Sequence, residues 1–163
     1  MPSSRLRVET DLMLRSIEST LALWISGYLS SAQVVEWATE ELEKLDNPPL
    51  ELIDLITDGP ERCLKRPAYE FQARPENLTY VQQFALRAVR TRLDVDASVL
   101  KLAGWAARNC LGREFELPSV SFGYQVDHLL DDCRDEQATL DFVREELPSL
   151  LPECEEVVRE LLA

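Results

Sequence analysis

The chain has 163 residues, of which 45% are hydrophobic and 29% are charged, and its formal net charge is −13. This composition is that of an ordinary globular protein and excludes a disordered or fibrous chain, while the negative charge argues against nucleic-acid binding through the bulk surface. The longest continuous apolar stretch, residues 21–25, is far shorter than the roughly 20 residues of a membrane-spanning helix. The polar first residues also lack the apolar segment of a signal peptide, so we expect a cytoplasmic protein.

Helical periodicity is the main structural signal along the chain. Apolar residues recur at spacings of three and four, and glycine is scarce, with 5 residues; both features favour helix. The pattern predicts helices over residues 6–27, 32–46, 50–57, 76–93, 97–111, 122–133, 136–147, which Pro148 ends, and 152–162, which Pro152 opens. The sequence therefore predicts an all-α fold, a single-domain bundle of roughly eight helices.

Turn-forming residues separate the first three of these helices. Gly27 stops the first helix, and Ser30 and Ser31 cap the second. Residues 47–49, Asn-Pro-Pro, end the second helix, and residues 58–60, Asp-Gly-Pro, end the third, because proline cannot continue a helix.

The predicted domain organisation is one helical domain over residues 1–163. An alternative is two closely packed halves, residues 1–58 and 76–163, joined by a basic, proline-containing connection at residues 59–75. Connections of this length are uncommon in compact domains and are often functional. The simpler interpretation is a surface crossover packed by its own aromatic residues, Tyr69 and Phe71.

Charge is distributed unevenly along the chain. Residues 1–60 have a net charge of −7, residues 61–113 of +5, and residues 114–163 of −11. Such an arrangement suggests two faces of opposite sign, which bear on partner choice and association rate. An internal interpretation is equally consistent with the pattern: the basic middle packs against the acidic ends and partly neutralises them.

The acidic last third supplies the candidate binding residues. Its carboxylates recur at spacings of three and four on the side opposite each apolar stripe, so each set forms an outward row of like charge. We predict a partner-binding role for Asp127, Asp131, Asp132, Asp135, Asp141, Glu145, Glu153, Glu156 and Glu160. The alternative is that these rows are solvated outer faces of helices.

The sequence offers little support for catalysis or metal binding. His128 is the one histidine, so any Ser-His or Cys-His pair must use it, and glycine-rich phosphate loops are absent. His128 with Asp131 or Asp132 spans one helical turn, but metal sites in helical bundles draw ligands from several helices. We therefore predict no enzymatic activity, no cofactor and no bound metal.

The four cysteines contain no Cys-x-x-Cys motif. Cys110, Cys133 and Cys154 fall on the apolar phase of their helices, which predicts reduced thiols in the core of a cytosolic protein. A disulfide pair remains open, because pairing is not deducible from one sequence.

Residues 24–38, WISGYLSSAQVVEWA, and residues 47–55, NPPLELIDL, resemble the opening of small helical bacterial proteins. In these proteins a helix ends in glycine, a serine begins the next helix, and a Trp-Ala pair follows. Some of them resemble immunity proteins that neutralise a secreted bacterial toxin. The resemblance implies a small, acidic, cytosolic protein whose partner is a basic toxin domain, and it transfers no binding residues.

We therefore expect a non-enzymatic acidic binding protein, immunity-like or antitoxin-like, that neutralises a basic effector domain. An alternative is an adaptor or scaffold of a cytoplasmic complex that binds its partners through Trp105, Tyr69 and the basic connection. A further alternative is a metal-binding protein or enzyme centred on His128. No membrane partner is expected and nucleic acid is disfavoured, whereas a homodimer that joins the basic middle to an acidic end stays open.

Overall fold

The computed structural model describes residues 4–163, with side chains for residues 13–14 and 16–163. These residues form seven α-helices, one π-helical turn and no strand: α1 (Ser4–Ile25), α2 (Ser31–Glu43), α3 (Leu50–Lys65), α4 (Tyr80–Arg90), α5 (Asp96–Asn109), α6 (Pro118–Asp127), the π-turn (His128–Asp132) and α7 (Glu136–Leu162). The predicted all-α fold is confirmed, and the predicted count of roughly eight helices is close. None of the described helices has the length and apolar character needed to span a bilayer.

The chain divides into two compact units, residues 1–77 and residues 78–163. The division falls after residue 77, and the basic segment of residues 59–75, which the sequence suggested as a connection, lies within the first unit. The single domain stays a prediction.

In the first unit, α1, α2 and α3 surround one apolar core. Ile17 and Leu21 of α1, Val34 of α2, and Leu52 and Leu55 of α3 are fully buried. Their spacings of three and four place them on one stripe of each helix. Each such side chain contributes about 1.5–3 kcal/mol of burial free energy, so this core holds the unit together.

The turn between α1 and α2 follows its local sequence. Gly27 has a φ of 75°, a left-handed conformation that glycine adopts without steric cost. The Ser30 hydroxyl accepts a hydrogen bond from the Gln33 backbone N–H at 3.2 Å, and the Gln33 side chain accepts one from the Ser30 N–H at 2.8 Å. This reciprocal capping box starts α2, which confirms the predicted break.

Helix α3 consists of two segments, which are separated at the point where the sequence predicted a helix end. Gly59 adopts a non-helical φ of 80° and produces a kink. Pro60 then begins a second helical segment, where its missing N–H costs little. Because Pro60 and Cys63 are buried, packing keeps this second segment against the core up to Lys65. The predicted break at residues 58–60 is thus confirmed, and a further helical segment follows it.

Residues 66–77 form the last segment of the first unit and pack against its helices. Phe71 is completely buried, whereas Tyr69 is 82% exposed. The Glu76 N–H donates to the Glu18 carbonyl of α1 at 3.0 Å. Of the two aromatic residues that the sequence singled out, only Phe71 therefore supplies packing.

In the second unit, α5 contacts α4, α6 and α7. Ala103, Ala106 and Ala107 of α5 are buried, and such small side chains let neighbouring helices approach closely. Helix α5 therefore packs against each of the other three α-helices of the unit.

An aromatic cluster fills the space beside α5. The Trp105 ring stacks on the Tyr80 ring at 5.2 Å between centroids, and the Phe84 and Phe122 rings meet edge to face at 5.4 Å. The Arg87 guanidinium lies 4.3 Å from the Trp105 ring centre, which is within the range of a cation–π contact. Trp105 is thus a residue at the edge of the core.

Helix α7 runs from Glu136 to Leu162 through both prolines, so the predicted end at Pro148 and new start at Pro152 are wrong. The two prolines are exposed and lie one turn apart on the solvent side. An interior proline costs about 3 kcal/mol or more. Val143, Leu147 and Val158 are buried on the opposite side, at about 1.5–3 kcal/mol each, and this packing on both sides of the prolines keeps the helix continuous.

Gly123 sets the close contact between α6 and α5. A Cβ at this position would lie 2.6 Å from the Cys110 Cβ and 3.0 Å from the Ala106 carbonyl oxygen. We expect Gly123→Ala to lower the free energy of unfolding by about 1–3 kcal/mol, because neither neighbour can move without disturbing the packing. Urea unfolding followed by circular dichroism measures this change.

Gly104→Ala is the matched control in α5. The three atoms nearest to its Cβ all belong to the Arg108 guanidinium, the closest at 3.0 Å, and this side chain is free to move aside. Alanine is preferred over glycine in a helix by about 1 kcal/mol, so we expect Gly104→Ala to be neutral or stabilising. An equal loss of stability in both variants would contradict the assignment of the close contact to Gly123.

Candidate functional site

Five of the nine predicted carboxylates share one side of α7. They are Asp141, Glu145, Glu153, Glu156 and Glu160, and all five are exposed. At about 100° per residue they fall within an arc of about 120°, opposite the buried stripe of Val143, Leu147 and Val158. Because α7 is one helix and not the two that were predicted, these rows form a single surface, which we call the acidic face.

The two arginines of α7 differ in their contacts. Arg144 donates through Nε to the Leu93 carbonyl at 2.8 Å and pairs with Asp96 near the start of α5. Arg159 pairs with Glu156 on the acidic face itself. Since α7 carries eight acidic residues, these contacts leave the acidic face with a strong net negative charge.

The other four predicted carboxylates lie at and after the end of α6 and have local partners. They are Asp127, Asp131, Asp132 and Asp135. Asp135 caps α7 by accepting from the Ala138 N–H at 2.9 Å, and Asp132 contacts the His128 imidazole at 3.0 Å. A hydrogen bond with Asp131 raises the pKa of Asp127, with partial burial and the nearby carboxylates adding to the effect.

The π-helical turn brings His128 next to a cysteine. The Cys133 N–H donates to the His128 carbonyl five residues earlier at 3.0 Å, which places residues five apart on the same side. Cys133 Sγ lies 3.6 Å from His128 Nε2, and Asp132 Oδ2 lies 3.0 Å from Nδ1. Cys133 is exposed, so its predicted place in the core is wrong, because that prediction assumed an uninterrupted α-helical period.

The core positions predicted for Cys110 and Cys154 are confirmed, and Cys63 is buried as well. Cys63, Cys110 and Cys154 are buried and free. Burial raises the pKa of the Cys63 and Cys154 thiols to about 11 and also raises that of Cys110. Across the part of the chain that the structure describes, no three His, Cys, Asp or Glu side chains are arranged to hold a metal ion.

Part of the basic middle of the sequence is neutralised within the first unit. Arg66 pairs with Asp54 at 3.2 Å and also with Asp58. Arg74 Nη2 donates to the Arg66 carbonyl at 2.7 Å. The Arg66 contacts match the internal interpretation of the charge pattern, since this arginine meets two carboxylates of α3, whereas Arg74 donates to backbone carbonyls.

A small apolar cleft in the second unit was missed by sequence reasoning. Val81 and Phe84 of α4, Leu117 before α6, and Leu150 and Val157 of α7 line it, with Ser119 and Glu153 as its polar lining. The cleft involves three separate segments, so no local pattern identifies it. The one available signal is the run of residues 114–117, Glu-Phe-Glu-Leu, which places apolar residues in a predicted break between helices.

Comparisons with known proteins add no family: no family model, no curated protein and no solved structure matches this chain.

The cysteine environments predict selective thiol chemistry. In the native protein we expect iodoacetamide to modify Cys133 alone, because the other three cysteines are buried and the thiolate is the reactive form. Mass spectrometry should show one adduct under native conditions and four after unfolding in guanidinium chloride. Native modification of Cys63 or Cys154 at a rate similar to that of Cys133 would contradict the described burial.

Proposed function

We propose that this chain is a non-enzymatic binding protein that docks on a basic protein domain and neutralises it, in the manner of bacterial immunity or antitoxin-like proteins. The observation that carries the proposal is the acidic face of α7, on which five exposed carboxylates lie on one side of one helix. The acidic composition of the whole chain, with a net charge of −13, supports the same interpretation.

The acidic face has an energetic cost in the free protein. Asp141 and Glu145 are four residues apart, as are Glu156 and Glu160, and each like-charge pair at this spacing destabilises a helix by about 0.2–0.5 kcal/mol. A basic partner would relieve this repulsion. The same field would also raise the association rate and disfavour acidic partners, so the arrangement is suited to rapid capture of a basic domain.

Neutralising the acidic face tests the proposal. The variant carries Asp141→Asn, Glu145→Gln, Glu156→Gln and Glu160→Gln and is compared with the wild type, both tagged, in a pull-down from a lysate of the cells that make this chain. We expect the wild type to retain a basic protein at low salt, and the variant to retain roughly tenfold less, because charged contacts across an interface govern encounter and register.

The captured protein must then pass a functional assay. Produced alone, its basic domain should arrest growth, and co-production of the wild-type chain should restore growth while the variant should not. If the domain is harmless, or if the variant protects as well as the wild type, neutralisation through the acidic face is wrong.

A charge-matched control removes four carboxylates from the first unit. Its substitutions are Glu36→Gln, Glu40→Gln, Glu43→Gln and Asp46→Asn, all at exposed positions in or just after α2. It has the same net charge as the α7 variant and should capture the partner as well as the wild type. Equal losses in the two variants would show that total charge, and not the acidic face, determines binding.

One observation favours a second candidate, a reactive thiol centred on Cys133. His128 Nε2 lies 3.6 Å from Cys133 Sγ, and Asp132 Oδ2 lies 3.0 Å from the other ring nitrogen of His128. Catalytic thiols commonly have such an arrangement, in which a histidine accepts the thiol proton and a third group orients the histidine. In this candidate the thiol proton passes to His128 Nε2. The sulfur then forms a bond to an electrophilic carbon, and the leaving group departs with its bonding electron pair.

The rate of thiol alkylation tests this second candidate. His128→Asn should slow modification of Cys133 by iodoacetamide at least roughly tenfold, because it removes the proton acceptor. Asp131→Asn, which changes a neighbouring exposed carboxylate, is the control and should leave the rate within about twofold. An unchanged rate in His128→Asn would leave Cys133 as an exposed thiol without assistance.

A further inference from the structure

The apolar cleft of the second unit is sized for a side chain. Its volume is about 40 Å³, whereas sites for small molecules measure about 300–1,000 Å³. The cleft is therefore too small for a whole small molecule, and one apolar side chain, such as that of leucine, is an occupant of suitable size.

The loop before α6 carries two exposed apolar residues, one of which lines the cleft. Phe115 is 60% exposed and Leu117, which lines the cleft, is 37% exposed. The loop that carries them is held in place, because the Phe115 ring packs 5.3 Å from the Tyr124 ring and the Gly112 N–H donates to the Tyr124 hydroxyl at 3.1 Å. An apolar centre of this kind within a polar rim is the usual anatomy of a protein interface.

One acidic residue lines the cleft, and two more are near Leu117 in the sequence. Glu153 belongs both to the cleft lining and to the acidic face of α7. Glu114 and Glu116 alternate with Phe115 and Leu117 along the loop, and both are exposed. An apolar side chain with a basic residue on either side would therefore complement both the apolar lining of the cleft and the nearby carboxylates.

We propose that the cleft receives one apolar side chain of the partner, from a segment in which lysines or arginines flank it. This inference rests on the proposed function and adds the apolar contact that selects among basic proteins. Central apolar anchors commonly supply most of the binding free energy of an interface, whereas the charged rim governs the encounter.

The negative charge of the second unit argues against a second copy of the chain as the occupant of the cleft. Residues 78–163 carry 16 acidic and 9 basic residues, and a symmetric contact at the cleft would bring Glu153 of each copy toward the same carboxylates of the other. Like charges placed opposite each other disfavour such a contact. A basic segment meets no such repulsion.

Three synthetic nonapeptides test the inference by ¹⁵N-HSQC titration of the full chain. The first has a central leucine flanked by lysines, the second replaces the leucine with serine, and the third replaces the lysines with glutamates. We expect the lysine–leucine peptide to shift the amide signals of Leu117, Leu150 and Val157 and to bind about tenfold or more tightly than the serine peptide, the gain expected from burying one leucine. The glutamate peptide should not bind.

Paired substitutions in the loop provide the matched control. Leu117→Lys places a charge in the cleft and should abolish the preference for leucine over serine. Leu111→Lys changes a residue of the same loop that is 60% exposed and does not line the cleft, and it should keep the preference. Both positions are exposed, so both variants should fold.

The possible outcomes test the cleft proposal and the proposed function separately. Equal binding of the leucine and serine peptides, with shifts on the acidic face alone, would overturn the cleft proposal and support the proposed function. Absence of binding by both lysine peptides would count against both proposals. Loss of the leucine preference in Leu111→Lys as well would also overturn the assignment to the cleft.

Discussion

The second unit depends on the buried stripe of α7. Val143, Leu147 and Val158 lie on one side of this helix, and their burial, about 1.5–3 kcal/mol for each side chain, keeps the helix in one piece. The two exposed prolines remove backbone hydrogen bonds on the solvent side, where water can satisfy the freed carbonyls. Once the stripe is buried, the direction of every other residue of α7 follows from the helical period.

The acidic face and the cleft are consequences of that one packing arrangement. With the stripe buried, Asp141 and Glu160 must point to solvent on the same side, and Leu150 and Val157 must border α4 at the edge of the core. Glu153 then joins the carboxylates to the apolar cleft. The acidic face and the apolar cleft are therefore adjacent because one helix contributes to both, and the proposed interface rests on this adjacency.

The π-turn shows how a local change of helical register redirects side chains. A hydrogen bond from the Cys133 N–H to the His128 carbonyl at 3.0 Å rotates the chain relative to an α-helix. Cys133 leaves the apolar phase, becomes exposed and meets His128, while Asp135 begins α7 as its cap. The chemistry available at this turn therefore depends on one extra residue in the helical repeat.

The sequence by itself determined the helical class, the acidic character and the turn at Gly27 and Ser30, because apolar spacing, charge and capping residues act over a few neighbouring positions. Only the tertiary structure decided that a second helical segment follows the break at Gly59 and that α7 continues through Pro148. A proline or glycine shows where a helix can break, but the burial of side chains on both sides decides whether the break separates two helices. The cleft also required the folded chain, because its walls come from distant segments that only packing brings together.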